Sequence, residues 1–413
     1  MHYQEAISYL FGLERFGWQL GLERMQAMLA ELGNPHRYFR SIHVAGTNGK
    51  GSVCAMLASI LSASGYKTGL YTSPHLIKAE ERIRINGAEI AEADVIALIA
   101  ELQPLFDRHR CTFFEAVTAL AFVYFQRQRI DWAVVEVGLG GRLDATNVLQ
   151  PELCMITHID YDHTDHLGTT LAQIAGEKAG IIKAGVPCVV GKLPAAAIQV
   201  INQKGEVVFA RKECRVRDLK MTAEGSFFVL ATAERNLGIR LPLPGPHQVL
   251  NSCVAIQGCR VLGLSESAMV QGLQRVSWPG RFQLLHDRPL IILDVAHNSS
   301  GFNRLKWMID HFYPEKKVHL VIGVLKDKDY HRMMQILPKR LHAIYAVTPA
   351  GSRALPAAEL AIPAKPIYFQ EFSGVAEGLG VAFKRALPEE LICIAGSHYL
   401  AAEAFQVIKT LTK

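Results

Sequence analysis

Short apolar runs alternate with longer amphipathic ones through most of this chain of 413 residues, and that rhythm leaves few folds open. "SIHVAGTNGKG" is a strand entering a glycine loop, and "SVCAMLASILSASG" reads as a helix ending at Gly65. "YKTGLYTSPHL", "DWAVVEVGLGG" and "ELCMITHID" are further strands with loops, set among the helical periodicities of "EADVIALIAELQPLFDRH" and "TFFEAVTALAFVYFQRQ". A strand that is apolar along its whole length has no face to give to water. Alternating with helices, such strands imply a parallel sheet covered on both sides. From about Val207 to Leu243 the pattern shortens, gains Arg and Lys, and reads as β-hairpins. After "VSWPGRF" a second α/β series begins, with "LIILDVAH", "KKVHLVIGVLKDKD", "LHAIYAVTP" and "ELICIAGSHYL".

Composition narrows the function classes. Half of the residues are hydrophobic and 20% are charged, which is ample for large cores and unlike a disordered chain. The net charge of +6 suits anionic small ligands, but no long basic stripe marks a nucleic-acid surface. The eight cysteines are scattered without a CxxC pair, which argues against a metal ribbon or a disulfide scaffold and fits a reducing cytoplasm. The N-terminus lacks a signal-peptide pattern. The most apolar helical run, Phe113 to Phe125, is interrupted by Glu115 and is too short to span a bilayer. A cytoplasmic, monomeric protein with no membrane or nucleic-acid partner is expected.

The strongest local signal is Ala45-Gly46-Thr47-Asn48-Gly49-Lys50-Gly51-Ser52, between a strand and a helix. Backbone N–H groups of such a loop, with the positive end of the following helix, cradle phosphate oxygens. The lysine reaches the terminal phosphates. The strict Walker A pattern is not met. Val44 stands where its first glycine belongs, and Gly51 follows the lysine where Ser or Thr normally holds magnesium. Another residue must then hold the metal. Ser73 in "YTSPHL" is a candidate, because parallel strands deliver their C-terminal loops to one sheet edge; a turn or helix cap before Pro74 is the competing reading. Glu136 ends an otherwise apolar strand, where a carboxylate needs a partner, a hydrogen bond or a metal. The following "GLGGRL" is no dinucleotide fingerprint, since Leu143 occupies the third glycine position.

"THIDYDHTDHLG" gathers His158, Asp160, Asp162, His163, Asp165 and His166 just after a strand. A magnesium site with one imidazole ligand, a zinc site without the HExxH pattern, and a plain polar loop all stay open. "GEKAGIIKAG" reads as the beginning of a helix, with Lys178 paired near Glu177 or solvated. In the C-terminal series, "LIILDVAHN" ends a strand at Asp294, His297 and Asn298, and "CIAGSHYL" ends another at Ser397 and His398. Both are strand-to-loop transitions, where open α/β sheets carry sites or only turns.

Together and in this order, the motifs resemble the folylpolyglutamate synthase and dihydrofolate synthase family, within the ATP-dependent Mur ligases. They include "AGTNGKGS", "YTSPHL", "TFFEA", "EVGLGGRLDATN", "DHTDHLG", "EKAGI", "GPHQVLN", "WPGRFQ", "LDVAHN", "GVLKDKD" and "AGSHYL", and cover nearly the whole chain. The fold implied is α/β: an ATP-binding N-terminal domain of the P-loop type with a small β subregion (1–279), a linker (280–288), and a Rossmann-like C-terminal glutamate-ligase domain (289–413). By resemblance, Gly46 to Ser52 form the ATP triphosphate site, and Asn251, Arg281 and Asp294 are nucleotide contacts, the last two reaching across the domain cleft. Ser73 and Glu136 resemble ligands of a first Mg2+, and His163 a ligand of a second. Lys178 resembles the family's carbamylated lysine, whose carbamate adds the negative oxygen ligands for the metal that a bare ammonium cannot provide. Trp18, Gln19, Leu20, Thr112, Phe113, Phe114, Leu143 and Asp144 align with the pterin-side pocket, and His297 and Ser397 with the incoming glutamate. The resemblance implies catalytic roles for Lys50, Lys178 and His297. The reaction implied joins L-glutamate to dihydropteroate, giving dihydrofolate, or to the γ-carboxyl of folates, with ATP as co-substrate, two Mg2+ sites and K+ as a further candidate ion. A small-molecule kinase or transport ATPase would share the loop but needs no second α/β module.

Overall fold

A computed structural model describes residues 1–17, 19–231, 236–360 and 367–412. Trp18 lies outside the described residues. The chain divides into two compact units. One comprises residues 1–220, 227–242 and 247–276, and the other residues 221–226, 243–246 and 277–413.

The first unit is organised by an eight-stranded sheet. Its strands are β1 (Arg40–Ala45), β2 (Thr68–Tyr71), β3 (Ile83–Ile85), β4 (Ala88–Glu89), β5 (Trp132–Glu136), β6 (Leu153–His158), β7 (Cys188–Lys192) and β8 (Val207–Phe209), in the order β4-β3-β2-β5-β1-β6-β7-β8. Six strands are parallel; β3 and β4 add an antiparallel edge. β1 and β5 lie at the centre and are buried almost throughout, as their unbroken apolar sequences require. One core packs the helices Tyr3–Gly12, Glu23–Glu31, Glu92–His109 and Phe113–Arg127 around Phe106, Phe122 and Phe125. A second core sets the helix Leu171–Ala179 against Ile156, Cys188 and Val190. Strands β9 (Arg215–Thr222), β10 (Gly225–Ala231) and β11 (Asn236–Leu241) form a separate small sheet, where hairpins are expected from sequence.

The second unit has a six-stranded sheet of β12 (Gln283–Asp287), β13 (Leu290–Leu293), β14 (Val318–Ile322), β15 (Leu341–Val347), β16 (Tyr368–Phe372) and β17 (Leu391–Ala395). The order is β12-β13-β17-β14-β15-β16, parallel except for the β12–β13 pair.

Two expectations need correction. Most of the segment 280–288 is not a linker, because Gln283–Asp287 pairs antiparallel with β13 as the sheet's edge strand. Its half-exposed pattern, with Leu284 facing solvent, hides it from a search for apolar strands. The helix carrying Lys178 does not begin at "GEKAG" but ends there. It starts after Thr170, whose hydroxyl accepts from Gln173 N–H in a capping box, and Lys178 lies in the last turn.

All eight cysteines are free and buried. Among the described residues, no helix is long and apolar enough to cross a membrane.

His43, on β1, is fully enclosed. Its Nε2–H donates to Thr146 Oγ1 at 2.8 Å, while Nδ1 is buried without a partner. Burial pushes this imidazole down to about 3 from an ordinary 6.5. Between those values the unfolded chain binds a proton that the folded chain refuses. The stability held by neutral His43 is therefore complete above pH 6.5 and is lost as the pH falls towards 3. His43→Gln keeps a donor to Thr146. It should remove up to about 1.4 kcal/mol per pH unit from the acid slope of the unfolding free energy, measured by urea denaturation. An unchanged slope would refute this.

Candidate active site

Parallel strands place the ends of β1, β2, β5 and β6 on one edge of the first sheet, and the loop Gly46–Ser52, Ser73, Glu136 and His163 lie at or just after those ends. The loop after β1 is held from beneath by β6. Thr47 N–H donates to the His158 carbonyl at 2.7 Å, and the Thr157 hydroxyl donates to the Asn48 carbonyl at 2.7 Å. Glycine is demanded twice. A Cβ on Gly46 would stand 2.0 Å from Thr157 Oγ1, and one on Gly49, at φ +88°, would stand 2.6 Å from Asn251 Oδ1. Asn251 therefore sits against the loop. Its amide donates to Gln248 Oε1 at 3.0 Å, and the Gln248 amide donates to Ser52 Oγ at 3.3 Å. The helix Lys50–Ala63 starts at Gly49, an N-cap residue with no side chain of its own to cap the first amides, and its positive end faces the loop.

Two lysines converge on one oxygen. Lys50 Nζ and Lys178 Nζ each lie 3.1 Å from the Gly46 carbonyl. Lys178 is buried, so the solvated reading of its sequence does not hold; Glu177 instead pairs with Arg142 at 2.9 Å. Burial, and next the charge of Lys50, bring the Lys178 amine down to about 7, with Asp162 and Asp144 opposing. The Lys50 cation and the Lys178 amine share one neutral acceptor, which makes the pocket receptive to an anion.

Glu136 is buried at the end of β5, and its Oε2 accepts from the Ser73 backbone N–H at 3.2 Å. The sheet thus brings these two expected magnesium ligands together. His163 has a left-handed backbone, its N–H donates to Asp162 Oδ1 at 3.0 Å, and its Nε2 lies 3.9 Å from the same oxygen. Among the described residues, no three His, Cys, Asp or Glu side chains form a ready-made metal cage. The Glu136 carboxylate and the Ser73 hydroxyl are hard oxygen donors of the kind magnesium takes, one or two from the protein with phosphates and water completing its octahedron.

Of the residues expected on the acceptor side, Phe114 packs against Gly138 of the "GLGGRLDATN" turn. Thr112 caps the helix Phe113–Arg127, and the Phe114 ring lies where a Cβ on Gly138 would be, 2.4 Å from its Cζ. Asp144 is fully occupied by the protein. It accepts from Leu139 N–H at 2.8 Å, from Thr146 N–H at 3.0 Å and from the Thr146 hydroxyl, while burial raises its carboxyl. It braces the "GLGGRLDATN" turn, beside half-buried Leu143. Gln19 and Leu20 are exposed, with Leu20 60% accessible.

In the second unit, Asp294 follows β13 and accepts from Phe282 N–H and Ala296 N–H, both at 2.8 Å. Burial raises its carboxyl against the pull of Arg281. His297 Nδ1 lies 2.9 Å from the Val295 carbonyl, and its ring is 5.4 Å from that of His398. Ser397 caps the helix His398–Leu411 by accepting from Leu400 N–H at 3.1 Å. The groups that sequence reading missed are Thr157 and Gln248, which hold the loop. Gln248 was visible in "GPHQVLN"; Thr157 had no signal beyond its place at the end of β6.

A phosphate-receptive loop without the Walker hydroxyl, together with a separate parallel α/β unit, defines a Mur-type ligase architecture. Residues 44–259 match the Mur ligase middle domain, and residues 280–398 match the Mur ligase glutamate ligase domain. The dihydrofolate synthase/folylpolyglutamate synthase of Bacillus subtilis is 38% identical over 83% of this chain and 84% of its own. Folylpolyglutamate synthase of Mycobacterium tuberculosis, solved with ADP and AMPPCP, superposes with a TM-score of 0.90 at 31% identity, covering 98% of this chain and 99% of that one. Escherichia coli FolC, solved with DHPP and ADP, gives 0.88 at 32% identity, covering 99% and 98%. The chain belongs to the dihydrofolate synthase/folylpolyglutamate synthase family of Mur ligases.

Proposed function

We propose that this protein is an ATP-dependent ligase that joins L-glutamate to dihydropteroate, forming dihydrofolate, and to the γ-carboxyl of folates. The observation that carries the reading is the convergence of Lys50 and Lys178 on the Gly46 carbonyl, at the open end of the helix that follows. A carboxylate is a poor acyl donor because its oxide leaves badly. Phosphorylation by ATP gives an acyl phosphate, with ADP leaving. The glutamate α-amino group then attacks the carbonyl carbon, phosphate departs, and an amide forms with loss of one proton.

The loop amides from Gly46 to Ser52 hold the triphosphate, and Lys50 offsets the charge that builds as the phosphoryl group moves. Asn251, against Gly49, contacts the nucleotide. Ser73, Glu136 and His163 would hold magnesium, which when bound neutralises part of the triphosphate charge. A Lys178 amine near neutrality at pH 7 is the form that adds to CO2, giving a carbamate and a proton; the anion would relieve its repulsion from Lys50. Thr112, Phe113, Phe114 and Leu143 line the acceptor side. In the second unit Arg281 and Asp294 contact the nucleotide, while His297 and Ser397 take the glutamate. Eight free, buried cysteines support a reducing, cytoplasmic setting, and a monomer is the working state.

The test is ADP release by purified protein with magnesium and ATP. Release should require both glutamate and an acceptor, with dihydropteroate and tetrahydrofolate monoglutamate assayed in parallel. Release that ignores either co-substrate would overturn the reading.

A further inference from the structure

We infer that Arg24 is a positioning residue for the acceptor, tying together the two segments that form the wall of its pocket. The inference rests on the ligase reading above. "LGLERM" and "TFFEA" lie about ninety positions apart, and neither Arg24 nor Glu115 has a role in the chemistry so far described. The structure joins them. Arg24 Nε and Nη2 each lie 3.1 Å from Glu115 Oε1, and Nε is 3.5 Å from Oε2. The same guanidinium turns its Nη2 to the Gln19 carbonyl at 3.2 Å. Glu115 in turn accepts from Thr112 N–H at 2.8 Å and returns its own N–H to Thr112 Oγ1 at 3.3 Å.

One planar group therefore fixes the backbone at Gln19 and, through Glu115, the helix start that presents Thr112, Phe113 and Phe114. The carboxylate is buried while the guanidinium is about a third open. Arginine offers its donors in a rigid, planar fork that meets both partners at fixed geometry, which the point-like ammonium of lysine reproduces only in part. The segment it holds needs holding. Gly17 and Gly21 flank it at φ +62° and +134°, and between them Leu20 exposes an apolar side chain. On the ligase reading, that exposed side chain is held in place for the acceptor by the Arg24 contact to the Gln19 carbonyl. Without it, Glu115 stays buried and the Gln19 segment loses its tether.

The experiment compares wild type, Arg24→Ala, Arg24→Lys and Glu115→Gln by steady-state ADP release, with KM measured separately for dihydropteroate, ATP and glutamate. Arg24→Ala is expected to raise the dihydropteroate KM about tenfold or more, with ATP and glutamate KM within about twofold of wild type. Arg24→Lys should fall between the two, and Glu115→Gln should move the same KM in the same direction. An unchanged dihydropteroate KM, or equal rises for all three substrates, would overturn the positioning role in favour of a purely structural ion pair. Should Arg24→Ala fail to fold, the Lys and Gln variants carry the same ratio test. Wild type lacking glutamate- and acceptor-dependent release would instead defeat the ligase reading, so the two failures are distinguishable.

Discussion

Lys50→Met is expected to reduce ADP release about a thousandfold or more while leaving the folded state intact, as followed by turnover alongside thermal unfolding. The side chain is half-buried and among the described residues makes no ion pair; its Nζ donates to the Gly46 and Thr47 carbonyls, at 3.1 and 3.5 Å. Methionine keeps the length and helix propensity of the first helical residue, so the loop loses a cation but little packing. What it loses in function is large, because a charge aimed at a transferring phosphoryl group acts where water is excluded. A second consequence follows from geometry. Lys50 is the second largest cause of the depressed Lys178 amine, after burial. Its removal should move that amine back up from about 7 towards its ordinary value, detectable as slower pH-dependent labelling of Lys178 by an amine-specific reagent. Retained turnover in Lys50→Met would remove the phosphate-site reading of the loop.

Where these residues lie in the fold of each unit could be read in the sequence because local signals and sheet topology agree. The glycine loop, the carboxylate of Glu136 at the end of an apolar strand and the Asp294 and Ser397 loops each follow a strand, and a parallel sheet collects such ends by construction. What escaped depended on contacts between distant residues. Nothing in "EKAGI" signals that Lys178 will be buried against Gly46, 132 positions away. Its helix was read as starting at Gly176, a poor helix former, because the Thr170–Gln173 capping box looks like polar loop until it is folded. Edge strand β12 was taken for linker for a related reason: a strand wetted on one side has no continuous apolar signature. The sequence places Asp144 at the pocket but gives no sign that its carboxylate also braces the turn, accepting from Leu139 and Thr146.

Lys178→Met should combine two opposite changes: activity falls about a hundredfold or more, and stability at pH 7 rises. The sign follows from linkage. The amine sits at about 7 when folded and 10.5 otherwise, so between those values the unfolded chain carries a proton that the folded chain does not. Stability of the wild type therefore increases with pH across that window. Below about 7 both states are protonated, and the folded state bears the full burden of a buried ammonium beside Lys50, on the order of a few kcal/mol. Methionine removes that burden and forfeits one hydrogen bond to Gly46, worth about 1 kcal/mol. In bicarbonate-free buffer, where the wild-type amine is uncarbamylated, the net result should be a higher urea midpoint at pH 7 and loss of this lysine's contribution to the profile from pH 7 to 10. The lysine is then a group kept against stability, as expected where function needs it. Carbamylation offers a direct check on what that function is. Isotope-labelled bicarbonate should give a carbamate signal by carbon NMR in wild type and none in Lys178→Met. Full activity in the variant, or a lower urea midpoint at pH 7, would mean that the buried amine serves packing rather than chemistry.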